Sequence, residues 1–269
     1  MNVVFVEPSF PTNQREFVRG LKLAGASVIG VGERPSHSLD PELAGWIDHY
    51  EEVRSVVDVG SMADVVGRLG NVVTIDRLEA TVEAHVEPAA QVREHFGIPG
   101  TSTRTAYLCR DKPAMKEVLR EASIPTAASA GVSSAEELTA FVAANGYPVI
   151  VKPRAGAGAS GTVRVDDDNG LAEVISGSGF ERGASVAVEE FVEGHEGFWD
   201  TISIGGEVAH EFVSHYYPNV LEAMRTRWIS PQFITTNEVD TAPGYAEVKE
   251  LGRRVLPALG IGTTATHME

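Results

Sequence analysis

The sequence is poor in cysteine and in basic residues, and it has no long apolar run. Its single cysteine, Cys109, excludes an internal disulfide framework and a cysteine-rich metal cluster, and it fits a reducing compartment such as the cytoplasm. The 22 Lys and Arg against 38 Asp and Glu give a formal net charge of −16, which argues against a nucleic-acid-binding surface. No stretch approaches the roughly 20 apolar residues of a membrane span, and no signal peptide is recognisable. The chain is therefore expected to be a soluble globular protein without nucleic-acid or membrane partners.

The first third of the chain alternates predicted strands and helices. Apolar runs at 3–6, 27–32 and 71–75 predict strands, whereas 3.6-residue periodicity predicts helices at 13–25, around 62–69 and from about 79 to 96. This alternation is typical of a parallel sheet with helices on its faces. The first predicted strand is followed by "VEPSFPT" rather than by a glycine-rich turn, so the usual nicotinamide or flavin site of such a domain is missing.

A glycine-rich stretch later in the chain has the spacing G-x-G-x-x-G, at Gly156, Gly158 and Gly161. In a dinucleotide-binding turn these glycines open a helix, but residues 162–165 alternate as a strand does. A Walker-type loop needs Lys-Ser/Thr directly after the last glycine, and in kinases the phosphate-binding lysine follows the loop, whereas Lys152 precedes it. This order predicts a hairpin whose mobile tip closes over a phosphate; a surface hairpin with an extended, solvated lysine is the alternative.

A second candidate stretch is "VAVEEFVEGHE", where a predicted strand passes into a loop. Exposed backbone N–H and C=O groups in such a segment could bind the edge of a flat heterocycle, and Glu196, seven residues after Glu189, could accept hydrogen bonds from ribose hydroxyls. Taken alone, the stretch is better explained as an acidic transition from strand to loop without a ligand.

Together with the lead-in "RDKPAMKEVLREASIP", these stretches resemble the ATP-grasp superfamily, which includes carboxylate-amine ligases. The resemblance implies an α/β fold with a pre-ATP-grasp parallel-sheet domain at 1–100, followed by an α+β ATP-grasp domain with a lid at 101–188 and an incomplete C-terminal subdomain at 189–269. It also implies a set of nucleotide contacts: Lys112 and Lys152 at the phosphates, Gly156, Gly158, Ser160 and Gly161 over them, Glu189, Phe191 and the backbone of Glu190 and Val192 around the adenine, and Glu196 at the ribose.

The segment beyond this stretch resembles the part of the family that faces the substrate. A hairpin is predicted to turn at Gly205-Gly206, and Arg225 and Arg227 follow it as candidates for holding a carboxylate or stabilising phosphoryl charge, with surface salt bridges as the alternative. After a helix predicted at about 243–259, the final residue Glu269 matches the family's first Mg²⁺-binding acid. Because the family's second metal-binding Glu and its Asn come later, the chain is expected to be a truncated piece of a longer ligase.

The resemblance implies an ATP- and Mg²⁺-dependent ligase that joins a small-molecule carboxylate to an amine through an acyl phosphate. The expected location is the cytoplasm, and a homodimer is one arrangement left open. A nucleotide-binding or assembly module without turnover is the second hypothesis, because downstream metal ligands are missing from the sequence. A dehydrogenase is disfavoured by the strand that follows the glycines.

Overall fold

The computed structural model describes residues 1–154, 161–226, 229–230 and 232–269. The chain divides into two compact units, Met1–Tyr107 and Leu108–Glu269. Within the described residues, no helix is long and apolar enough to cross a membrane. The finer division into three parts, with boundaries at 100 and 188, stays a prediction.

The first unit contains a four-stranded parallel sheet in the order β3-β2-β1-β4. Alternate residues of the first strand pack to opposite faces, because side chains in a strand alternate with period two. Val3 and Phe5 contact one apolar cluster, and Val4 and Val6 contact another. The predicted α/β parallel-sheet fold is therefore confirmed. Its elements are β1 (Asn2–Val6), α1 (Gln14–Leu23), β2 (Ser27–Gly32), a 3₁₀ turn (Ser36–Ser38), α2 (Pro41–Trp46), β3 (His49–Glu52), α3 (Val59–Gly70), β4 (Arg77–Glu79) and α4 (Glu83–Phe96).

The strand predicted at 71–75 is wrong. The chain pairs with β1 only from Arg77 onward, in the register Val3↔Arg77, and Leu78 is the residue that becomes fully buried. Val73 and Ile75 still pack against the core, but from the connection that follows α3. An apolar run indicates that residues are buried, but it does not indicate which of them pair with a neighbouring strand. The later position of the strand also explains why α4 begins at Glu83 rather than near 79.

One helix, Thr103–Arg110, runs across the boundary between the two units. The second unit continues with another helix and a four-stranded antiparallel sheet in the order β5-β8-β6-β7, which we call the lid sheet. Side chains cap two of its helices at their N-termini: the Asp111 carboxylate accepts the N–H of Ala114, and the Ser134 hydroxyl accepts that of Glu137. The elements are α5 (Thr103–Arg110), α6 (Lys112–Glu121), β5 (Ser129–Val132), α7 (Ala135–Asn145), β6 (Val149–Pro153), β7 (Val163–Val165), α8 (Asp168–Gly177), a 3₁₀ turn (Phe180–Arg182) and β8 (Val186–Glu190).

The two strands that flank the glycine-rich loop form a hairpin. β6 and β7 pair antiparallel, with Val149 opposite Val165 and Val151 opposite Val163. The predicted hairpin is therefore confirmed, and the chain leaves the loop as a strand. A dinucleotide-binding turn, which opens a helix, does not fit this geometry.

The unit ends with a second antiparallel sheet in the order β11-β10-β9-β12, which we call the C-terminal sheet. The predicted hairpin turn is confirmed, since Gly205 and Gly206 join β9 and β10 with φ values of 61° and 89°, as a two-residue turn requires. Trp199 is 2% exposed and packs with Leu256 in the core beneath the sheet. The elements are β9 (Gly197–Ile204), β10 (Glu207–Tyr217), α9 (Val220–Thr226), β11 (Gln232–Thr235), α10 (Tyr245–Leu259) and β12 (Thr264–Met268).

Candidate functional site

The lid sheet carries a buried carboxylate between two lysines. Glu189, near the end of β8, accepts hydrogen bonds at Oε2 from the Nζ of Lys152 at 2.7 Å and from the Nζ of Lys116 at 2.8 Å. The three side chains are 9%, 19% and 14% exposed, respectively. Lys152 comes from the neighbouring strand β6 and Lys116 from helix α6. The cluster therefore joins three elements at one point, with two cations for one anion.

Burial and charge act in opposite directions on these groups. Burial alone would raise the pKa of the Glu189 carboxyl, but the charges and hydrogen bonds of Lys152 and Lys116 more than offset it, so the pKa is lowered and the group is ionised. Burial lowers the pKa of Lys116, and the attraction of Glu189 opposes this effect only partly. The excess of positive charge in a half-buried site favours an anionic ligand, such as a phosphate.

The second carboxylate oxygen of Glu189 is buried. No described residue donates a hydrogen bond to this oxygen, Oε1, and the residue as a whole is 7% exposed. Buried polar atoms are nearly always paired, because a lost hydrogen bond in a low-dielectric site costs about 1–3 kcal/mol. The orphaned oxygen therefore indicates a ligand that supplies a donor, for example an amino group.

The helix that carries Lys116 is fixed to the end of β6. Arg154 donates from Nε to Asp111 Oδ2 at 2.9 Å and from Nη2 to Oδ1 at 3.0 Å, which makes a two-pronged ion pair with the residue that caps α6. The backbone N–H of Lys112 donates to the carbonyl oxygen of Arg154 at 3.3 Å. These contacts hold α6 in register with the strand that carries Lys152.

Sequence reasoning missed Lys116. The lysine selected there, Lys112, is the first residue of α6, whereas the cation that reaches Glu189 is one helical turn further along. A signal was available, because residues four apart lie on the same helix face. The contact of Lys112 with a phosphate stays a prediction.

Residues 189–196, at the end of β8 and beyond it, are the predicted base-binding segment. The N–H of Glu190 donates to the carbonyl of Ala128 at 2.9 Å, and the N–H of Phe191 donates to that of Pro148 at 3.1 Å. The Arg164 guanidinium lies 4.2 Å from the centre of the Phe191 ring. Val192, the next residue, is 66% exposed. The segment thus leaves the sheet at Val192, and its contacts with a base stay a prediction.

Glu196, the predicted ribose-binding residue, lies just before β9. Its backbone N–H donates to Asn219 Oδ1 at 3.0 Å, and its Oε2 accepts the N–H of Val220 at 2.5 Å. The carboxylate is thereby held in one orientation.

Glu269, the predicted metal-binding residue, follows β12 on the C-terminal sheet. Its Oε1 accepts from the Tyr216 hydroxyl at 3.1 Å and lies 3.4 Å from His267 Nε2. Hydrogen bonding to Asp200 and then to Glu269 raises the pKa of His267 to about 9. The pKa of Glu269 is lowered, first by His267 and in smaller part by the charge of Lys152.

The Glu269 carboxylate is the candidate for holding a metal ion. Among the described residues, no group of three or more His, Cys, Asp or Glu side chains is arranged to hold a metal ion. Mg²⁺, however, is commonly bound by one or two carboxylates together with phosphate oxygens and water. The ionised Glu269 fits the part of a single protein ligand in such a site.

Several predicted residues cannot be placed against this cluster. Gly156, Gly158, Ser160 and Arg227 lie outside the described residues, and for Arg225 the structure describes its place in α9 but not its side chain. Gly161, two residues before β7, has a φ of 70°, a left-handed conformation that favours glycine.

A family model and known proteins match this chain. Residues 111–197 match the model described as the carbamoyl-phosphate synthase L chain, ATP binding domain. This segment contains α6, the lid sheet and the loop up to the start of β9, including Lys116, Lys152 and Glu189.

Three similar proteins illustrate the range of relatives. An L-arginine-specific L-amino acid ligase of Bacillus subtilis is 30% identical over 234 residues, which are 85% of this chain and 55% of that protein. The crystal structure of an L-amino acid ligase from Bacillus licheniformis superposes with a TM-score of 0.75 at 21% identity, over 99% of this chain and 62% of that one. The ADP complex of an N5-carboxyaminoimidazole ribonucleotide synthetase gives a TM-score of 0.75 at 15% identity, over 99% and 65%. The chain spans about half the length of the curated relatives it matches.

Proposed function

The chain belongs to the ATP-grasp superfamily, and on that premise we propose that it binds ATP as part of a ligase that joins a carboxylate to an amine. The substrates are small molecules, and an amino acid is the favoured class because amino acid ligases are among its relatives.

The observation that carries the proposal is the cluster of Glu189 with Lys116 and Lys152. Two lysines that share one carboxylate retain a net positive charge. Lys152 precedes the glycine-rich loop on β6, so phosphates bound by that loop would lie beside the two lysines. The orphaned Oε1 of Glu189 offers an acceptor to the amino group of adenine. Guanine has an oxygen at the equivalent position, so the same atom disfavours it.

The proposed reaction proceeds in two steps. A substrate carboxylate oxygen attacks the γ-phosphorus of ATP, the bond from that phosphorus to the β-phosphate oxygen breaks, and ADP leaves. The amine then attacks the acyl carbon, inorganic phosphate leaves and the nitrogen loses a proton. Lys116 and Lys152 stabilise phosphate charge, and the loop excludes water that would hydrolyse the acyl phosphate.

Mg²⁺ would supply further charge neutralisation at the phosphates, with Glu269 as one protein ligand. Arg225 and Arg227 remain our candidates for holding the substrate carboxylate. We also propose a cytoplasmic location, based on the single cysteine.

Calorimetric titration with ATP tests the proposal. Lys152→Ala removes a charge-assisted contact worth about 1.5–3 kcal/mol, so Kd should rise roughly 10- to 150-fold. Lys22→Ala is the matched control, because Lys22 pairs with Asp48 at the surface of the first unit; its Kd should equal that of the wild type. An unchanged Kd for Lys152→Ala would count against the whole scheme.

The second candidate, a nucleotide-binding module without turnover, is favoured by the presence of only one predicted metal ligand. ADP release is measured with a pool of amino acids, using this chain and a chain extended beyond residue 269. ADP release that depends on amino acids supports the ligase. ATP binding without ADP release from either chain supports the module.

A further inference from the structure

The carboxyl end of the base-binding segment is held by one side chain, that of Asn219. Its Nδ2 donates to the carbonyl oxygen of Gly194 at 2.9 Å, and its Oδ1 accepts the N–H of Glu196 at 3.0 Å. The amide therefore engages the backbone on both sides of His195. A pair of bonds of this kind fixes the segment much as a neighbouring strand would.

The same place holds the Glu196 side chain. Oε2 accepts the N–H of Val220, the residue after Asn219, and the backbone carbonyl of Glu196 accepts the N–H of Tyr216 at 3.0 Å. The backbone and one carboxylate oxygen of Glu196 are thus fixed by residues 216–220. A carboxylate has about four lone-pair positions, so Glu196 retains acceptor capacity for a ligand.

Aromatic packing closes the segment from another side. The His195 ring stacks on that of His215, with centroids 5.2 Å apart, and lies 4.8 Å from the ring of Tyr217. Residues 194–196 are therefore held by hydrogen bonds and by ring contacts, whereas Val192 remains exposed.

We propose that Asn219 is a positioning residue that orients Glu196 toward the ribose hydroxyls of the nucleotide, and so determines selectivity for a ribonucleotide over a dideoxynucleotide. The inference rests on the proposed ATP-binding function. A vicinal diol supplies two donors, and a carboxylate held at one oxygen accepts them without first losing side-chain entropy. Without the Asn219 amide, the backbone of Gly194 and Glu196 loses two hydrogen bonds, so the Glu196 carboxylate, still bonded to the N–H of Val220, must be ordered in part during binding.

The test measures the Kd of ATP and of 2′,3′-dideoxy-ATP by calorimetry for four proteins: wild type, Glu196→Gln, Asn219→Ala and Asn145→Ala. Asn145 is the matched control, because its amide donates to the Phe141 carbonyl within the exposed end of α7, a contact inside its own helix. Hydrogen bonds to a charged group contribute about 1.5–3 kcal/mol, so wild type and Asn145→Ala should prefer ATP roughly 10-fold or more.

The ratio of the two Kd values distinguishes a positioning role of Asn219 from a general loosening of the segment that it holds. Asn219→Ala and Glu196→Gln should lower the preference to about threefold or less, while dideoxy-ATP binds as in wild type, because the phosphate contacts are intact. A purely structural role would weaken both nucleotides equally and leave the ratio unchanged, which overturns the inference. If thermal melting shows that Asn219→Ala is unfolded, the same ratio is measured for Asn219→Asp. This variant keeps the acceptor for Glu196 but loses the donor to Gly194.

Two results in the wild-type protein distinguish other failures. Absence of binding to either nucleotide overturns the proposed function, and the inference with it. Equal affinity for ATP and dideoxy-ATP leaves the proposed function standing but overturns the role of Glu196 at the ribose, and therefore that of Asn219.

Discussion

Removing the charge of Glu189 should destabilise the second unit strongly. Both lysine Nζ atoms contact the same oxygen, at 2.7 and 2.8 Å, so they are no more than about 5.5 Å apart. At that separation and an effective dielectric constant of about 20, their repulsion is roughly 3 kcal/mol. Removing one partner of a buried ion pair typically costs about 3–5 kcal/mol. Because the lysines keep some access to water, we expect Glu189→Gln to cost about 3 kcal/mol, at the lower end of that range.

The assay is thermal unfolding followed by circular dichroism at neutral pH. A cost of about 3 kcal/mol corresponds to a fall in Tm of roughly 6–12 °C for a domain of this size. The double variant Glu189→Gln/Lys116→Met should recover at least about 1 kcal/mol of the loss, because Lys152 then faces no second cation. The control Glu190→Gln, at the next and exposed position, should change stability by less than about 0.5 kcal/mol.

The pH dependence provides a second signature of the same contact. The pKa of Glu189 in the folded protein is below the usual 4.5. Its contribution to stability is therefore complete above that value and is lost as the pH falls through the folded-state pKa. The stability gap between wild type and Glu189→Gln should be constant near neutral pH and shrink below 4.5. A gap that persists unchanged in acid, or a double variant less stable than the single one, would refute the reasoning.

Two further predictions concern packing and the anchoring of α6. Gly252→Ala should lower the free energy of unfolding by at least about 2 kcal/mol, because the new Cβ would lie 2.1 Å from a ring carbon of the buried Trp199. In the control Gly20→Ala the new Cβ meets nothing within 4 Å, so this variant should be more stable by about 0.5–1 kcal/mol. Equal Tm values for the two variants would contradict this packing. Arg154→Lys keeps the charge but loses the two-pronged contact with Asp111, so the Kd for ATP should rise about 3- to 10-fold. Adding Asp111→Asn to this variant should cause no further rise. Additive effects of the two substitutions would show that the two residues act separately.

The parts of this structure that were predictable depend on short sequence separations. The β6–β7 hairpin follows from the alternation of Val163 and Val165 after the glycines, and the caps at Asp111 and Ser134 bond residues only three positions away. Local periodicity and capping are properties of neighbouring residues, so the sequence displays them directly. The misplaced strand at 71–75 shows the limit, since pairing with β1 depends on residues far away in the chain.

The residues that form the candidate site were harder to predict from the sequence, for the same reason. Lys152 was recognisable because it precedes the glycines, but its bond to Glu189 spans 37 positions. Asn219 bonds to Glu196 across 23 positions, and no motif marks it. Contacts of this kind arise when separate strands and helices pack together, so patterns in a single sequence do not show them.

In the proposed function, the phosphates of ATP bind beside Lys116 as well as Lys152. The most direct measurement is the Kd of ATP for Lys116→Met by calorimetry, because this substitution keeps the apolar stem and removes only the cation. We expect a Kd at least about tenfold higher than that of the wild type, because a charge-assisted phosphate contact is lost. A Kd equal to that of the wild type, in a variant that remains folded, would contradict this position of the phosphates.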